Sequence, residues 1–183
     1  SKNVISTMSA QEVFQQVLAY AQEYDPEFGQ ALSADPSYAT AIFAVGRGGK
    51  KPRKDLTTWK DAKPYMGFFY DPFFCADAPF PGEFSPGTIK TALARFWEQY
   101  DPQDDATTWF EKIKTLADSM GFATNMKLYK QNPDAWPGSV TDVSTFLRIA
   151  LTGKTNSPDL YTVMQLLGPD RSHARIQNAI NRL

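Results

Sequence analysis

The chain is poor in the side chains that most often carry metal or nucleophilic chemistry. Its 183 residues include one cysteine, Cys75, and one histidine, His173. A single cysteine excludes a disulfide framework and suits a reducing cytoplasm, where we expect the protein to be located. A single histidine excludes a histidine-rich zinc site, and no base lies near Cys75 in sequence to form a Cys–His pair. We therefore predict no catalytic residue and no metal ligand in this chain.

Long apolar runs are also lacking. Each uninterrupted run is only a handful of residues long, which is too short for a membrane span, so we expect no membrane partner. Apolar residues are nevertheless abundant, at 42% of the sequence with 14% aromatic, and this excludes a disordered chain. The length suits one sizeable domain or two small ones.

Strand-like alternation is the third absence, since nearly every periodic segment predicts a helix. Ser9 followed by Glu12 forms a capping-box pattern. Asp25-Pro26 and Asp35-Pro36 each place proline just after a good N-cap residue, where its missing N–H costs nothing. The sequence predicts an all-α fold of two helical subdomains, residues 1–103 and 104–183, joined near residues 100–106.

Two stretches interrupt the helical pattern. Residues 75–88 contain three prolines and predict a break or linker, and residues 122–138 predict a long connection. Between them, acidic Asp104-Asp105 favours the start of a helix over acid–base chemistry.

The last 45 residues carry the most specific pattern. It predicts a helix over residues 139–152 that ends at Gly153, a second helix capped by Ser157 that ends at Gly168, and a third from Asp170. With Ser157 as the cap, free amide groups would face Arg148 and Lys154. Such a corner suits polar base edges or a phosphate.

Charge is unevenly distributed along the chain, although the net charge is only −1. Residues 47–63 hold seven bases and two acids, a local charge of +5. This segment predicts either a phosphate-contacting surface or a solvated basic loop. Its stretch from Gly46 to Lys54 lacks the G-x-x-x-x-G-K-[ST] spacing and follows no strand, which argues against a nucleotide-binding loop.

Two stretches resemble a known family. LRIALTGKTNSPDLYTVMQLLGPDRSHARI, from Leu147 to Ile176, is similar to the C-terminal end of bacterial-type glutamyl-tRNA synthetases. KPRKDLTTWKDAKPYMGFFYD, from Lys51 to Asp71, is similar to a variant of the first anticodon-binding subdomain of that family. This chain has Pro169-Asp170 where relatives commonly have Lys-Glu.

The resemblance implies a helix cage of two subdomains that grips the anticodon loop of the tRNA for glutamate. By motif position, anticodon bases would be contacted by Arg148, Ser157, Pro158 and Leu160. An arginine of the first subdomain, Arg53 or Arg47, would contact the first anticodon base. The resemblance and the charge pattern together indicate that four lysines contact the tRNA backbone: Lys50, Lys51, Lys54 and Lys154.

The chain lacks the HIGH-type and KMSKS-type motifs of the family, so we expect it to activate no glutamate alone and to bind no cofactor. The resemblance implies that ATP and magnesium act in a catalytic domain of the same parent chain, and that the protein is a monomer. One alternative is an all-helical protein-interaction module, which predicts an exposed apolar patch and little salt dependence. A stand-alone enzyme would need a constellation of titratable groups that the sequence does not offer.

Overall fold

The computed structural model describes residues 2–183. Over those residues the chain forms ten α-helices and four short 3-10 turns, with no β-sheet. The only strand-like pairing in the described part is an isolated parallel bridge between Ala123 and Ser139. The predicted all-α fold is confirmed. None of the described helices combines the length and the apolar character that crossing a membrane requires.

Contacts within the chain divide it into two compact units. The first unit contains the residues up to Cys75 together with Ser157–Leu166, and the second contains Ala76–Asn156 and Leu167–Leu183. These units are defined by contacts alone. The division at residue 103 into two anticodon-binding subdomains stays a prediction.

Three helices of the first unit begin where the capping residues predict. Ser9 and Glu12 form the reciprocal capping box: the Glu12 N–H donates to Ser9 Oγ at 3.1 Å and the Ser9 N–H to the Glu12 carboxylate at 2.7 Å. Asp25 and Asp35 cap the two helices that start with proline. The helices are α1 (Lys2–Thr7), α2 (Ala10–Tyr24), α3 (Pro26–Ala34), α4 (Pro36–Ala44) and α5 (Ala62–Met66).

The core of the first unit forms where α2 packs against α3 and α4. Short helical turns fill much of residues 59–73, because 3-10 turns precede and follow α5. Tyr38 Oη donates to the Leu166 carbonyl at 3.0 Å, which holds residues 157–166 in this unit. The largest fully buried side chains here are Leu32, Ile42, Phe43, Phe68 and Phe69.

The second unit is built on three helices that pack against one another: α6 (Pro86–Gln99), α7 (Ala106–Ser119) and α9 (Val140–Thr152). Their apolar faces bury Leu93, Phe96, Ile113, Phe146 and Leu147. The last helix, α10 (Leu160–Arg182), is bent at Gly168, whose φ of 79° favours glycine. Pro169 follows, so the predicted helix end at Gly168 and restart near Asp170 are confirmed.

The prediction that residues 122–138 form only a connection is wrong. The segment contains α8 (Met126–Gln131) and a 3-10 turn over Pro133–Ala135. Asn125 Oδ1 accepts from the backbone N–H groups of Lys127 and Leu128 at 3.0 and 3.1 Å, and so caps α8. A helix of six residues is too short to show an apolar repeat, which is why the sequence pattern misses it.

The proline-rich stretch is free of helix over residues 74–85, which confirms the predicted break. It is nevertheless fixed to the second unit. The Ala78 N–H donates to the Gly153 carbonyl at 3.0 Å. The Phe84 ring meets Phe146 edge-on, with 5.0 Å between centroids. The stretch therefore packs against the core below α9.

Candidate nucleic-acid interface

The first unit presents lysines on a loop that is closed at its base. In this basic loop, residues 46–54, the Arg53 N–H donates to the Gly46 carbonyl at 3.0 Å. Gly46 has a φ of +75°, and a Cβ there would lie 2.7 Å from Cδ of Arg53, so the closure requires glycine. Lys50, Lys51 and Lys54 are exposed beyond this closure. The loop thus presents three cations from a fixed base.

Arg47 belongs to the basic loop, but its guanidinium bonds to backbone carbonyls. Its Nε donates to the Phe43 carbonyl at 2.7 Å, and its Nη1 donates to the carbonyls of Ile5 and Met8 at 2.7 and 3.4 Å. Burial lowers the pKa of Arg47, although a guanidinium stays charged at neutral pH. The structure therefore places Arg47, one of the two candidates for the first anticodon base, where it ties the end of α1 to the end of α4.

Arg53, the other candidate, forms a two-pronged ion pair with Asp55. Its Nε and Nη2 lie 2.5 and 3.2 Å from the two carboxylate oxygens, and Tyr65 Oη donates to the same carboxylate at 2.8 Å. The Arg53 side chain keeps 37% of its surface exposed. Part of the guanidinium is thus accessible while its orientation is fixed.

Asp55 and Tyr65 are electrostatically perturbed by this arrangement. Burial alone would raise the pKa of Asp55, but hydrogen bonds from Arg53 and Tyr65 outweigh it and hold the pKa below its ordinary value. Burial and the neighbouring carboxylate raise the pKa of Tyr65, which therefore stays protonated and keeps donating to Asp55.

The lowered pKa of Asp55 predicts a loss of stability in acid. A carboxyl whose folded-state pKa lies below the unfolded value of about 3.9 stabilises the fold above that pH, and the contribution is lost as pH falls through the folded-state pKa. We expect urea unfolding to show a larger loss of unfolding free energy between pH ~6 and pH ~3 for the native chain than for Asp55→Asn. Equal losses would show that Asp55 does not carry the effect.

In the second unit, Arg148 lies on the last turn of α9, and this turn is held by several bonds. Thr152 Oγ1 donates to the Arg148 carbonyl at 2.7 Å and accepts from the Lys154 N–H at 3.1 Å. Gly153 ends the helix in the left-handed conformation, with a φ of 70°. Arg148 and Lys154 are both half-buried. The same fixed turn therefore carries two cationic side chains, Arg148 and Lys154.

The start of α10 differs from the prediction. Asp159, and not Ser157, caps the helix: the Thr162 N–H donates to Asp159 Oδ2 at 3.0 Å, and the first helical bond runs from the Val163 N–H to the Asp159 carbonyl at 2.9 Å. Ser157 Oγ donates instead to the Pro158 carbonyl at 2.9 Å. The sequence offers two capping residues here, and the helix begins at the later one.

The predicted contact residues of this segment are buried. Ser157 and Leu160 keep 4% and 3% of their surface, and Pro158 is buried as well. All three belong to the first unit. Their side chains thus shape the backbone of residues 157–160 and offer little surface of their own.

Removal of the Asp159 cap is expected to destabilise α10. Asp159→Ala deletes the acceptor of the Thr162 N–H and should lower the free energy of unfolding by about 1 kcal/mol. Asp159→Asn keeps a side-chain oxygen and should cost less than half as much. Urea unfolding of the two variants checks this, and a loss of similar size in both would contradict the assignment of the cap.

Comparison with known proteins shows which proteins this chain is similar to. Residues 139–180 match the family described as anticodon binding domain. The chain is 42% identical over 178 residues to glutamate–tRNA ligase of Sorangium cellulosum, covering 96% of this chain and 31% of the relative. It is 37% identical over 180 residues to glutamate–tRNA ligase of Acetivibrio thermocellus, covering 98% and 33%. Nearly the whole chain is therefore similar to one part of glutamate–tRNA ligases.

The resemblance to the C-terminal anticodon-binding region of this family is therefore confirmed. The chain spans about a third of the length of the glutamate–tRNA ligases it matches. The match to the anticodon binding domain covers α9 and most of α10, which carry Arg148 and Leu160. The basic loop lies outside that match but within the region aligned with the ligases.

Two residues that hold the Arg148 turn were not predicted as site residues from the sequence. Thr152 is 1% exposed and bonds on both sides of the turn. Arg175 is 4% exposed and donates from Nη1 to the Leu151 carbonyl at 2.8 Å. The Leu-Thr-Gly pattern gives a signal for Thr152, whereas nothing local to Arg175 indicates its partner.

The protein-interaction alternative predicts a contiguous exposed apolar patch. In the described part of the chain, the large apolar side chains that stand exposed lie on four different helices: Val4 on α1, Tyr24 on α2, Phe110 on α7 and Leu128 on α8. This distribution gives no support to a single apolar docking surface.

Proposed function

We propose that this chain binds the anticodon loop of the tRNA for glutamate, as the C-terminal part of a longer glutamate–tRNA ligase. The observation that carries the proposal is the turn at the end of α9. Arg148 and Lys154 leave this fixed turn within the residues that match an anticodon binding domain. A loop of RNA offers both unstacked base edges and phosphates to such a pair.

Arg148 is the proposed base reader of the second unit. A guanidinium carries five N–H donors in a planar fork, which suits the oxygens and ring nitrogens of an unstacked base. In the first unit, Ser157, Pro158 and Leu160 are buried, so we propose that they contact bases through the backbone edge of residues 157–160. Arg53 or Arg47 would contact the first anticodon base.

Lysines supply the proposed contacts to the tRNA backbone. Lys50, Lys51 and Lys54 are exposed on the basic loop, inside a segment whose net charge is +5. Lys154 is the corresponding cation of the second unit. Neutralising phosphates with lysine releases counterions, so the affinity should fall as salt rises.

The remaining steps of the reaction are assigned to the rest of the parent protein. We propose that its catalytic part uses ATP and magnesium to attach glutamate to the tRNA bound here, and that the protein is a monomer. In the part of the chain that the structure describes, no three His, Cys, Asp or Glu residues are grouped so as to hold a metal ion. This chain's contribution is to select the tRNA and hold it.

Competition between stem-loops tests the proposal. The chain is titrated with a fluorescent anticodon stem-loop of the tRNA for glutamate, which is then displaced by unlabelled loops with the same anticodon or a scrambled one. We expect the cognate loop to displace the label at concentrations at least about tenfold lower, which corresponds to one lost base contact. Equal displacement by the two loops would reduce the site to a basic surface and refute anticodon recognition.

A lysine of the basic loop should affect all RNAs alike. Lys51→Ala removes one phosphate contact, so we expect weaker binding to cognate and scrambled loops in the same proportion. The salt slope, which is the slope of the logarithm of the binding constant against the logarithm of the salt concentration, should be smaller in magnitude by about one unit. Lys90→Ala is the matched control, because Lys90 is also exposed but lies on α6, outside the basic segment. An unchanged slope for Lys51→Ala would exclude the basic loop from the interface.

A further inference from the structure

Arg175 is a charged side chain in an unusually buried place. It lies on α10 beyond the bend at Gly168 and keeps only 4% of its surface. Arginine is almost never this buried unless it has a partner. Its Nη1 donates to the Leu151 carbonyl at 2.8 Å, 24 residues away along the chain.

The Leu151 carbonyl belongs to the last turn of α9. The last four carbonyls of an α-helix have no partner within the helix and need donors from elsewhere. Here the Arg148 carbonyl accepts from Thr152 Oγ1 and the Ile149 carbonyl accepts from the Gly153 N–H at 2.9 Å. Arg175 supplies a donor to the Leu151 carbonyl and places a positive charge at the negative end of the helix.

The residues just after the helix are held in the same way. The Lys154 N–H bonds to Thr152, and the Gly153 carbonyl accepts from the Ala78 N–H at 3.0 Å. The whole turn is therefore fixed by side chains and backbone of the second unit. Among the donors named here, only Arg175 donates from a charged group.

We propose that Arg175 is a positioning residue for anticodon recognition. By holding the end of α9, it fixes the orientation in which Arg148 and Lys154 meet RNA, while its own buried guanidinium stays inside the protein. The inference rests on the proposed function, because it assigns Arg148 the task of contacting a base. It adds a residue that controls selectivity from beneath the surface.

The chemistry of arginine explains why a neutral side chain would not replace it. Methionine is a long side chain without a donor, so it would leave the Leu151 carbonyl without this hydrogen bond, and an unpaired buried carbonyl is destabilising. Lysine restores a charged donor but not the planar fork. Selectivity should therefore fall in the order native chain, Arg175→Lys, Arg175→Met.

The test compares Kd values for cognate and scrambled anticodon stem-loops over a series of salt concentrations. We expect Arg175→Met to lower the ratio of the scrambled to the cognate Kd by about five- to tenfold, which is less than the full effect of losing one base contact. The salt dependence of binding should not change. Arg175→Lys should recover part of the ratio. Ser172→Ala is the control, because Ser172 is fully buried one turn earlier and its hydroxyl has no hydrogen-bond partner in the described chain. Its ratio should not change.

The outcomes separate the inference from the proposed function. If Arg148→Ala lowers the ratio but folded Arg175 variants do not, the positioning role is overturned and anticodon recognition stands. If Arg148→Ala leaves the ratio unchanged, Arg148 is not a base reader and the positioning role of Arg175 is overturned with it. If the native chain itself binds the two loops equally, the proposed function fails. Should Arg175→Met not fold, amide hydrogen exchange in Arg175→Lys decides: faster exchange at Gly153 and Lys154 supports the positioning role, and native rates overturn it.

Discussion

Replacing Arg148 with alanine is expected to reduce the preference for the cognate anticodon by about 1–3 kcal/mol, or roughly 5- to 150-fold. The side chain is half-buried on a turn whose backbone Thr152 and Gly153 hold in place, so we expect little further ordering of this turn when RNA binds. Arg148→Lys should lose most of the same preference, because an ammonium cannot make two parallel hydrogen bonds to one base edge.

Single-base substitutions identify which anticodon position Arg148 contacts. Three stem-loops, each with one anticodon base changed, are titrated against the native chain and Arg148→Ala. For the native chain, each base substitution should lower the affinity. In Arg148→Ala, we expect one of these three losses of affinity to disappear while the other two remain. Lys154→Ala is the matched control from the same turn, and should lower the salt slope with all three penalties intact. Retention of all three penalties in Arg148→Ala would exclude it as a base reader.

Replacing Phe146 with alanine should have the largest effect on stability, about 3–5 kcal/mol. Phe146 lies on α9, has no exposed surface, and meets the Phe84 ring edge-on at 5.0 Å. The change removes a large apolar side chain from the core of the second unit and leaves a cavity there.

Urea unfolding with Phe110→Ala as the control measures this effect. Phe110 is the same residue type on α7 but keeps 42% of its surface, so its loss should cost under about 1 kcal/mol. Similar losses from the two substitutions would mean that the packing of α9 does not determine the stability of this unit.

Helix ends were predictable where the determining residues lie within one turn of each other. Ser9 with Glu12, Asp25 before Pro26, and Gly153 after α9 each act through bonds that span three or four residues. The same local logic failed at the start of α10, because Ser157 and Asp159 are both competent caps and only the folded backbone selects between them.

Long-range partners were not predictable from the pattern of residues. Arg47 bonds to carbonyls about forty residues away, and Arg175 to one 24 residues away. Which carbonyl lies beside an arginine depends on how the helices pack, and no spacing rule encodes that. The sequence therefore allowed a prediction of which cations contact RNA, but it did not indicate which of them are exposed and which hold the protein together.

The most direct test of anticodon recognition is the ratio of Kd values for the scrambled and cognate stem-loops, measured from about 50 to 200 mM salt. Both affinities should weaken steeply with salt, because phosphate contacts release counterions, while the ratio stays well above one throughout. That result would establish base recognition on top of backbone binding. A ratio that falls to one, or no binding to either loop at any salt concentration, would contradict the account.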